Sequence, residues 1–250
     1  MPLIAHLSDP HLDGSAGRAD RFRAAVALVA PTLPHLDAVV VSGDLAHDGT
    51  PEQYAQAREI LAPLRAVPVL CCPGNRDDRA AFRAGLLKDT SGSTAPISIV
   101  HRTATTSYLL CDSTIPGEPG GHLGQETLDW LRDELMAAGD RPVVVVTHHP
   151  PVLVWGQPGD GPELRDRADL LGVLGAAGNV RALLAGHYHV AMTTMAGRIP
   201  VRVAPAVGFA ARMDWEEQAE RFDHISAPMV AFHEIGDDGQ VTTVVRAATT

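Results

Sequence analysis

Apolar positions in this chain follow two rhythms. Short unbroken runs rich in Val and Leu occupy 3–7, 38–41, 67–72, 143–146 and 180–184, as expected of strands buried on both faces. Between them, apolar residues recur at spacings of three and four. Phe22, Ala25, Val26 and Val29 share one helical face, Tyr54, Ala57, Leu61 and Leu64 another, and Leu128, Leu131 and Leu135 a third. Strand–helix alternation of this kind predicts a layered α/β fold. In the second half, 107–111, 192–195, 201–203, 229–235 and 241–245 are also strand-like, and 236–239 has the composition of a hairpin turn. The pattern predicts two β-sheets packed together with helices outside, in one domain spanning 1–250. No linker, repeat or low-complexity segment interrupts it. Segments 156–163 and 209–228 carry no readable period and are expected to be loops or caps.

Composition narrows the function. With 250 residues, 45% hydrophobic and 20% charged, the chain can bury a substantial core. A formal net charge of −10 argues against a nucleic-acid polymer as partner. It leaves room for a small phosphorylated substrate, because bound divalent metals reverse the local sign. The three cysteines contain no C-x-x-C pair, so they read as core thiols of a reducing compartment. The N-terminus lacks a basic region and is too short for a signal peptide, and no apolar stretch approaches the ~20 residues that span a membrane. The expectation is a soluble, cytoplasmic protein with no membrane partner.

The chemistry is concentrated where strands should stop. Asp9-Pro10-His11 follows the first apolar run, Gly43-Asp44 the second and Gly74-Asn75 the third; His148-His149 ends the 143–146 run, and Gly186-His187-Tyr188-His189 follows the last. Loops at strand ends can aim side chains at one point while the sheet fixes their positions. Taken singly, Asp-Pro, Gly-Asp and Gly-Asn are common turn pieces, and a strand-end His is more often a satisfied polar residue than a ligand. Taken together, five clusters in this order are hard to explain by packing. A set mixing carboxylate, amide oxygen and imidazole favours Mn, Fe, Zn or Co over Mg or Ca. No G-x-S-x-G elbow or Cys nucleophile motif offers a competing mechanism.

This ordered set, D-x-H, G-D, G-N, H and G-H-x-H, resembles the calcineurin-like metallophosphoesterases. The 111–117, 121–124 and 128–131 segments are similar to the class III cyclic nucleotide phosphodiesterase and glycerophosphodiesterase branch. The resemblance implies a four-layer αββα sandwich of two mixed sheets flanked by helices. It implies two divalent metal ions, one held by Asp9, His11, Asp44 and His189, the other by Asp44, Asn75, His148 and His187, with Asp44 bridging. Two such ions ~3.5–4 Å apart lower the pKa of a bridging water and clamp phosphoryl oxygens for in-line attack of the hydroxide. The implied activity is hydrolysis of a small diester, a 3′,5′-cyclic nucleotide or a glycerophosphodiester. Dimers are frequent in that branch, which implies a homo-oligomer.

One position departs from the family. Its usual Gly-Asn-His-Asp reads Gly74-Asn75-Arg76-Asp77 here. A guanidinium is a poor acid but can fork two hydrogen bonds onto a phosphate, so Arg76 is expected to supply electrostatic stabilisation unless it merely pairs with Asp77 or Asp78. Asn75, Arg76 and His149 are the catalytic candidates, His149 either orienting a neighbouring ligand or lying near the leaving group. His47 either lines the substrate side or sits in a surface turn. Arg76 also suits relatives that cleave UDP-lipid pyrophosphates, which leaves that activity as an alternative. A non-catalytic, metal-binding regulatory module is the other.

Overall fold

The computed structural model describes residues 1–153, 163–217, 220–236 and 238–249. In chain order the strands are β1 (Leu3–Leu7), β2 (Ala38–Ser42), β3 (Val69–Cys72), β4 (Ile99–Arg102), β5 (Ser107–Leu110), β6 (Thr114–Ile115), β7 (Glu118–Gly121), β8 (Val143–Val146), β9 (Val180–Ala185), β10 (Met192–Ala196), β11 (Ile199–Val203), β12 (Ala210–Ala211), β13 (Phe222–Asp223), β14 (Met229–Ile235) and β15 (Val241–Ala247). The α-helices are α1 (Ala16–Val29), α2 (Pro51–Ile60), α3 (Arg79–Phe82), α4 (Gly124–Ala137) and α5 (Arg167–Ala176). One sheet has the order β15-β14-β1-β2-β3 and the other β10-β11-β9-β8-β5-β4. Both are mixed. Parallel centres, β1-β2-β3 and β11-β9-β8-β5, carry antiparallel edges.

The period of two inside each apolar run builds the layers. Along β2, Val39 and Val41 face α1 and α2 with Phe22, Val26, Tyr54 and Ile60, while Ala38 and Val40 face the other sheet. Along β8, Val143 and Val145 face α4 and α5 with Leu128, Leu131 and Leu170, and Val144 and Val146 turn inward. Three apolar seams therefore separate four layers, αββα, as the resemblance implies. Strands buried on both faces have no polar side, which is why they read as continuous apolar runs.

Helix starts follow local chemistry. Ser15 caps α1, and Thr50 with Gln53 forms a reciprocal capping box at α2, followed by Pro51 at its first position. The face expected to run on to Leu64 is interrupted. α2 ends at Ile60, and a 3-10 turn at Ala62–Leu64 contains Pro63, which has no N–H to continue an α-helix. Leu61 and Leu64 still reach the same core. α5 escaped the sequence pattern because Gly172 and Gly175 sit among uniformly apolar neighbours and leave no clear polar face. β4 and the small β6–β7 and β12–β13 pairs were not expected as strands. Backbone bonds from Gly236 N to Gln240 O and from Gly239 N to Gly236 O close the turn before β15; its Asp237 lies outside the described residues, as do 156–162 of the segment 156–163 expected as a loop. No helix among the described residues is long and apolar enough to cross a membrane. Cys71, Cys72 and Cys111 are free, buried core thiols.

Candidate metal centre and its two cavities

The parallel strands β1, β2 and β3 deliver Asp9, Asp44 and Asn75 to one edge of their sheet, and β8 and β9 deliver His148, His187 and His189 to the facing edge. The backbone there is bent in an unusual way. Asp9, His11, Asp44, His187 and His189 have φ of 53°, 47°, 51°, 72° and 58°, a left-handed conformation that L-residues with a Cβ avoid. Among the described residues the only other non-glycine with positive φ is Lys88, which ends a helix. Strain concentrated on five polar residues at one point marks a functional site. Neighbouring glycines make the bend possible: a Cβ on Gly74 would overlap the Asp44 carboxylate, and one on Gly186 would overlap Ser8 Oγ.

Seven side chains converge. His11 Nε2 lies 3.1 Å from His189 Nε2 and 3.3 Å from Asp44 Oδ2. His189 Nε2 is 3.2 Å from Asp9 Oδ1. On the other side His148 Nε2 is 3.1 Å from Asn75 Oδ1 and 3.6 Å from Asp44 Oδ1, and His187 Nδ1 is 3.1 Å from Asn75 Oδ1. Asp44 thus turns one carboxylate oxygen to each group of ligands. The Asp9, His11, Asp44 and His189 atoms all lie within 4.8 Å of one another.

The donor atoms meet lone pair to lone pair. His148 Nδ1 donates to Ser42 O at 2.7 Å and His189 Nδ1 donates to Phe209 O at 2.9 Å, so a ring that gives up one proton to bind a cation keeps the other there and turns a bare Nε2 to the centre. Asp9 Oδ1 is fully buried and accepts no hydrogen bond. Burial alone would raise both carboxyls. At Asp9, positive charge on the neighbouring His189, His148 and His11 rings, a charge that bound cations would supply in their place, outweighs burial and holds the group well below the usual range, whereas at Asp44 burial and the Asp9 charge leave it raised. Acceptors turned toward one another in a buried space are costly. Divalent cations between them would satisfy every one, so the donor set fits two metal ions.

Two cavities open beside this point and share His47, Asn75, Arg76 and Pro119 as a common wall. One, of about 430 Å³, carries Arg18, Phe209, Arg221, Phe222 and His224 beyond the ligands. The other, of about 620 Å³, is lined by Asp48, Asp78, Arg79 and the β6–β7 turn. A separate groove of about 690 Å³ lies over α4 and α5 around Leu135 and Val173 and shares no residue with the metal centre.

Arg76 is exposed on the common wall, and among the described residues its guanidinium pairs with neither Asp77 nor Asp78. Asp77 is otherwise engaged: its carboxylate accepts from Leu45 N, Ala46 N, Gly74 N and the Tyr54 hydroxyl, tying the Asp44 loop to the Asn75 loop. Arg79 instead pairs with Asp112 at 2.8 Å. His149 is buried behind the ligands. Its Nε2 donates to Pro119 O at 3.1 Å, which leaves Nδ1 to accept from Ser113 Oγ at 2.8 Å. Both nitrogens are consumed in holding the β6–β7 hairpin. His47 lines both cavities, with Nδ1 at 3.3 Å from His11 Nδ1.

Sequence reasoning missed Asp77, Ser42 and Phe209. Asp77 closes the Gly74–Asp77 motif and Ser42 stands just before Gly43, but their roles are backbone-directed and leave no pattern. Phe209 lies in a segment with no period at all.

Comparison with known proteins gives the chain a family and named relatives. The family profile described as calcineurin-like phosphoesterase matches residues 2–191. A probable cyclic nucleotide phosphodiesterase of Rhodococcus erythropolis is 32% identical over 228 residues, covering 88% of this chain and 75% of that one. The cAMP/cGMP dual specificity phosphodiesterase of Mycobacterium tuberculosis is 33% identical, covering 82% and 67%. A glycerophosphodiester phosphodiesterase of Enterobacter lignolyticus is 30% identical, covering 92% and 86%. In fold, a dimetal phosphatase from Danio rerio superposes with a TM-score of 0.63 at 15% identity, covering 99% of both chains.

Proposed function

The chain belongs to the calcineurin-like phosphoesterase family, and from that premise we propose that it hydrolyses small phosphodiesters at a two-metal centre. The observation that carries the proposal is the convergence of bare donor atoms on both sides of Asp44, whose two oxygens face separate ligand groups. Asp9, His11, Asp44 and His189 would hold one ion, and Asp44, Asn75, His148 and His187 the other, with Asp44 shared. The mixed nitrogen and oxygen set suits Mn, Fe, Zn or Co. When bound, the pair would activate water and neutralise charge on the phosphoryl oxygens.

The chain's own residues set the rest. Arg76, exposed where the cavities meet, would fork onto a phosphoryl oxygen and stabilise charge without donating a proton. Asn75 would orient the same group while ligating. His149 has both nitrogens committed, which favours an orienting role over one at the leaving group. Cavities on both sides of the phosphoryl position suit a diester, which has two substituents to place, better than a monoester. Relatives named as cyclic nucleotide and glycerophosphodiester phosphodiesterases point the same way.

The reading takes 1–250 as one domain, supported by β1 at its start pairing with β14 near its end. A cytoplasmic location suits three free thiols. A homo-oligomer is part of the proposal, checked by light scattering.

The test compares Mn²⁺-loaded protein on bis(p-nitrophenyl) phosphate and p-nitrophenyl phosphate, with Asp44→Asn as control. Turnover of the diester, weaker on the monoester and lost in the variant, is expected. Faster monoester turnover would make it a phosphomonoesterase. Two bound metals with no turnover of either would return the UDP-lipid pyrophosphate or the regulatory reading.

A further inference from the structure

We infer that the cavity formed by Arg18, Phe209, Arg221 and Phe222 is a nucleoside subsite, which takes a planar heteroaromatic substituent of the diester. The inference rests on the phosphodiester reading and assigns that site a substrate class: nucleotide diesters in preference to those of glycerol with a cationic alcohol.

The aromatic wall starts on the metal ligands themselves. The Phe209 ring lies 4.4 Å from that of His189 and 4.9 Å from that of His11. Phe222 continues the wall, 4.9 Å from Phe209 and nearly perpendicular to it. A group stacked there is therefore next to the phosphoryl position. Two guanidiniums accompany the rings: Arg18 lies 4.2 Å over Phe209 and Arg221 lies 5.5 Å over Phe222. Arg18 Nη1 is buried with no hydrogen-bond partner, a donor held in the wall without an acceptor.

Charge decides between the candidate substituents. A site for a quaternary ammonium offers bare aromatic faces and no competing cation. Here each phenyl ring already carries a guanidinium, that of Arg18 paired at 3.8 Å with Asp13 outside the cavity, and among the described residues the only carboxylate lining this cavity is Asp44, a metal-ligand candidate. A choline or ethanolamine group would meet like charge. A purine or pyrimidine is neutral, stacks on phenyl rings and guanidinium planes, and carries ring acceptors for Arg N–H donors.

The cavity is also held in shape. Arg21 on α1 donates to Val207 O at 3.1 Å, His224 O at 3.3 Å and Ser226 O at 2.7 Å. Arg212 donates to Glu220 O at 2.9 Å and Phe222 O at 2.8 Å. Both ends of the segment bearing Phe222 are thus tied down before any ligand arrives, which lowers the ordering cost of binding.

The test has a binding arm and a kinetic arm. Adenosine, which has no phosphate, is titrated into metal-free protein and followed by saturation-transfer NMR. Transfer to the adenine protons is expected in the parent and is expected to be lost in Phe222→Ala. In the Mn²⁺-loaded enzyme, Phe222→Ala is expected to lower kcat/KM for 3′,5′-cyclic AMP on the order of tenfold more than for glycerophosphocholine, mainly through KM. Arg221→Glu, at an exposed position that tolerates change, is expected to shift the ratio the same way. Absence of adenosine transfer, transfer indifferent to Phe222, or equal losses on both substrates would overturn the subsite. Diester turnover with no nucleoside preference would sink the subsite and leave the phosphodiesterase standing. Adenosine binding without turnover of bis(p-nitrophenyl) phosphate would do the reverse.

Discussion

The seam of metal ligands and the rim around it are built by opposite means. Ligands stand at the ends of central strands, five of the seven buried and five in a left-handed backbone, with the His148 and His189 rings pinned to carbonyls. The rim stands on the long excursion between β11 and β14 and on the first turn of α1, with Arg221 and His224 exposed and Phe222 36% exposed. Seam residues are fixed by the sheets and cannot move without breaking them. Rim residues are fixed by a few arginine bonds onto carbonyls. The seam therefore dictates phosphoester chemistry, and the rim is where one member of the family can differ from another in what it cleaves.

The comparison breaks first if the seam can be altered without a general loss. Asp44→Asn weakens the one carboxylate facing both ligand groups, and turnover of every diester is expected to fall by more than about 100-fold, since even outer supports of a metal site cost 10- to 100-fold. Metal content per chain, read by mass spectrometry, should fall with it. Arg76→Ala is expected to cost roughly 10- to 100-fold in kcat, at or below the range for a buried oxyanion donor because this guanidinium is exposed. Arg76→Lys should recover only part, lacking the fork. Unchanged kcat in Arg76→Ala would leave the residue as a bystander on the common wall. Gly74→Ala sets a methyl against both the carboxylate and the backbone nitrogen of Asp44, so the Asp44 loop itself must shift, and metal binding weaker by at least about tenfold is expected. Arg21→Ala, which frees the rim from α1, should raise KM for a nucleotide diester about threefold with little effect on metal content.

The same contrast explains what was legible in the sequence. Asp9, His11, Asp44, Asn75, His148, His187 and His189 could be picked out because a strand end forces each ligand to sit just after an apolar run. The valine runs of β2 and β8 were legible because burial on both faces permits no polar residue. Phe209 and Phe222 were not legible. They are 13 positions apart on a segment without period, and only the folding of that segment brings them to 4.9 Å. Asp77 was hidden differently. It acts on backbone N–H groups of a loop about 30 residues earlier, and backbone donors have no sequence. α5 was missed because helices of mixed glycine and leucine carry no amphipathic stripe.

The smallest expected effect tests what braces the seam from behind. Arg202 Nε donates to Thr243 Oγ1 at 3.0 Å, Thr243 Oγ1 to His233 Nδ1 at 2.9 Å, His233 Nε2 to His6 Nδ1 at 3.1 Å and His6 Nε2 to Ser42 Oγ at 2.8 Å. Ser42 Oγ then donates to Ser8 Oγ at 2.8 Å, and Ser8 Oγ to Ser42 O, the carbonyl that orients His148. Every donor points the same way, so both histidines must be neutral. A second proton on either would set N–H against a donor. Burial, reinforced by Arg202, lowers His233 to about 3, and burial lowers His6 as well. A histidine lowered on folding binds more protons in the unfolded chain, so its contribution is complete above about 6.5 and is lost as pH falls toward 3. Each proton taken up only on unfolding adds about 1.4 kcal/mol per pH unit to the slope of stability. Denaturant unfolding of the metal-free protein between pH 7 and 4 is expected to show that slope reduced in His233→Gln. Arg21→Ala should keep the parental slope, because the rim anchors it removes are carbonyls that do not titrate. A parental slope in His233→Gln would mean that the chain behind the seam is not held neutral, and the contrast between a braced seam and a tethered rim would lose its physical basis.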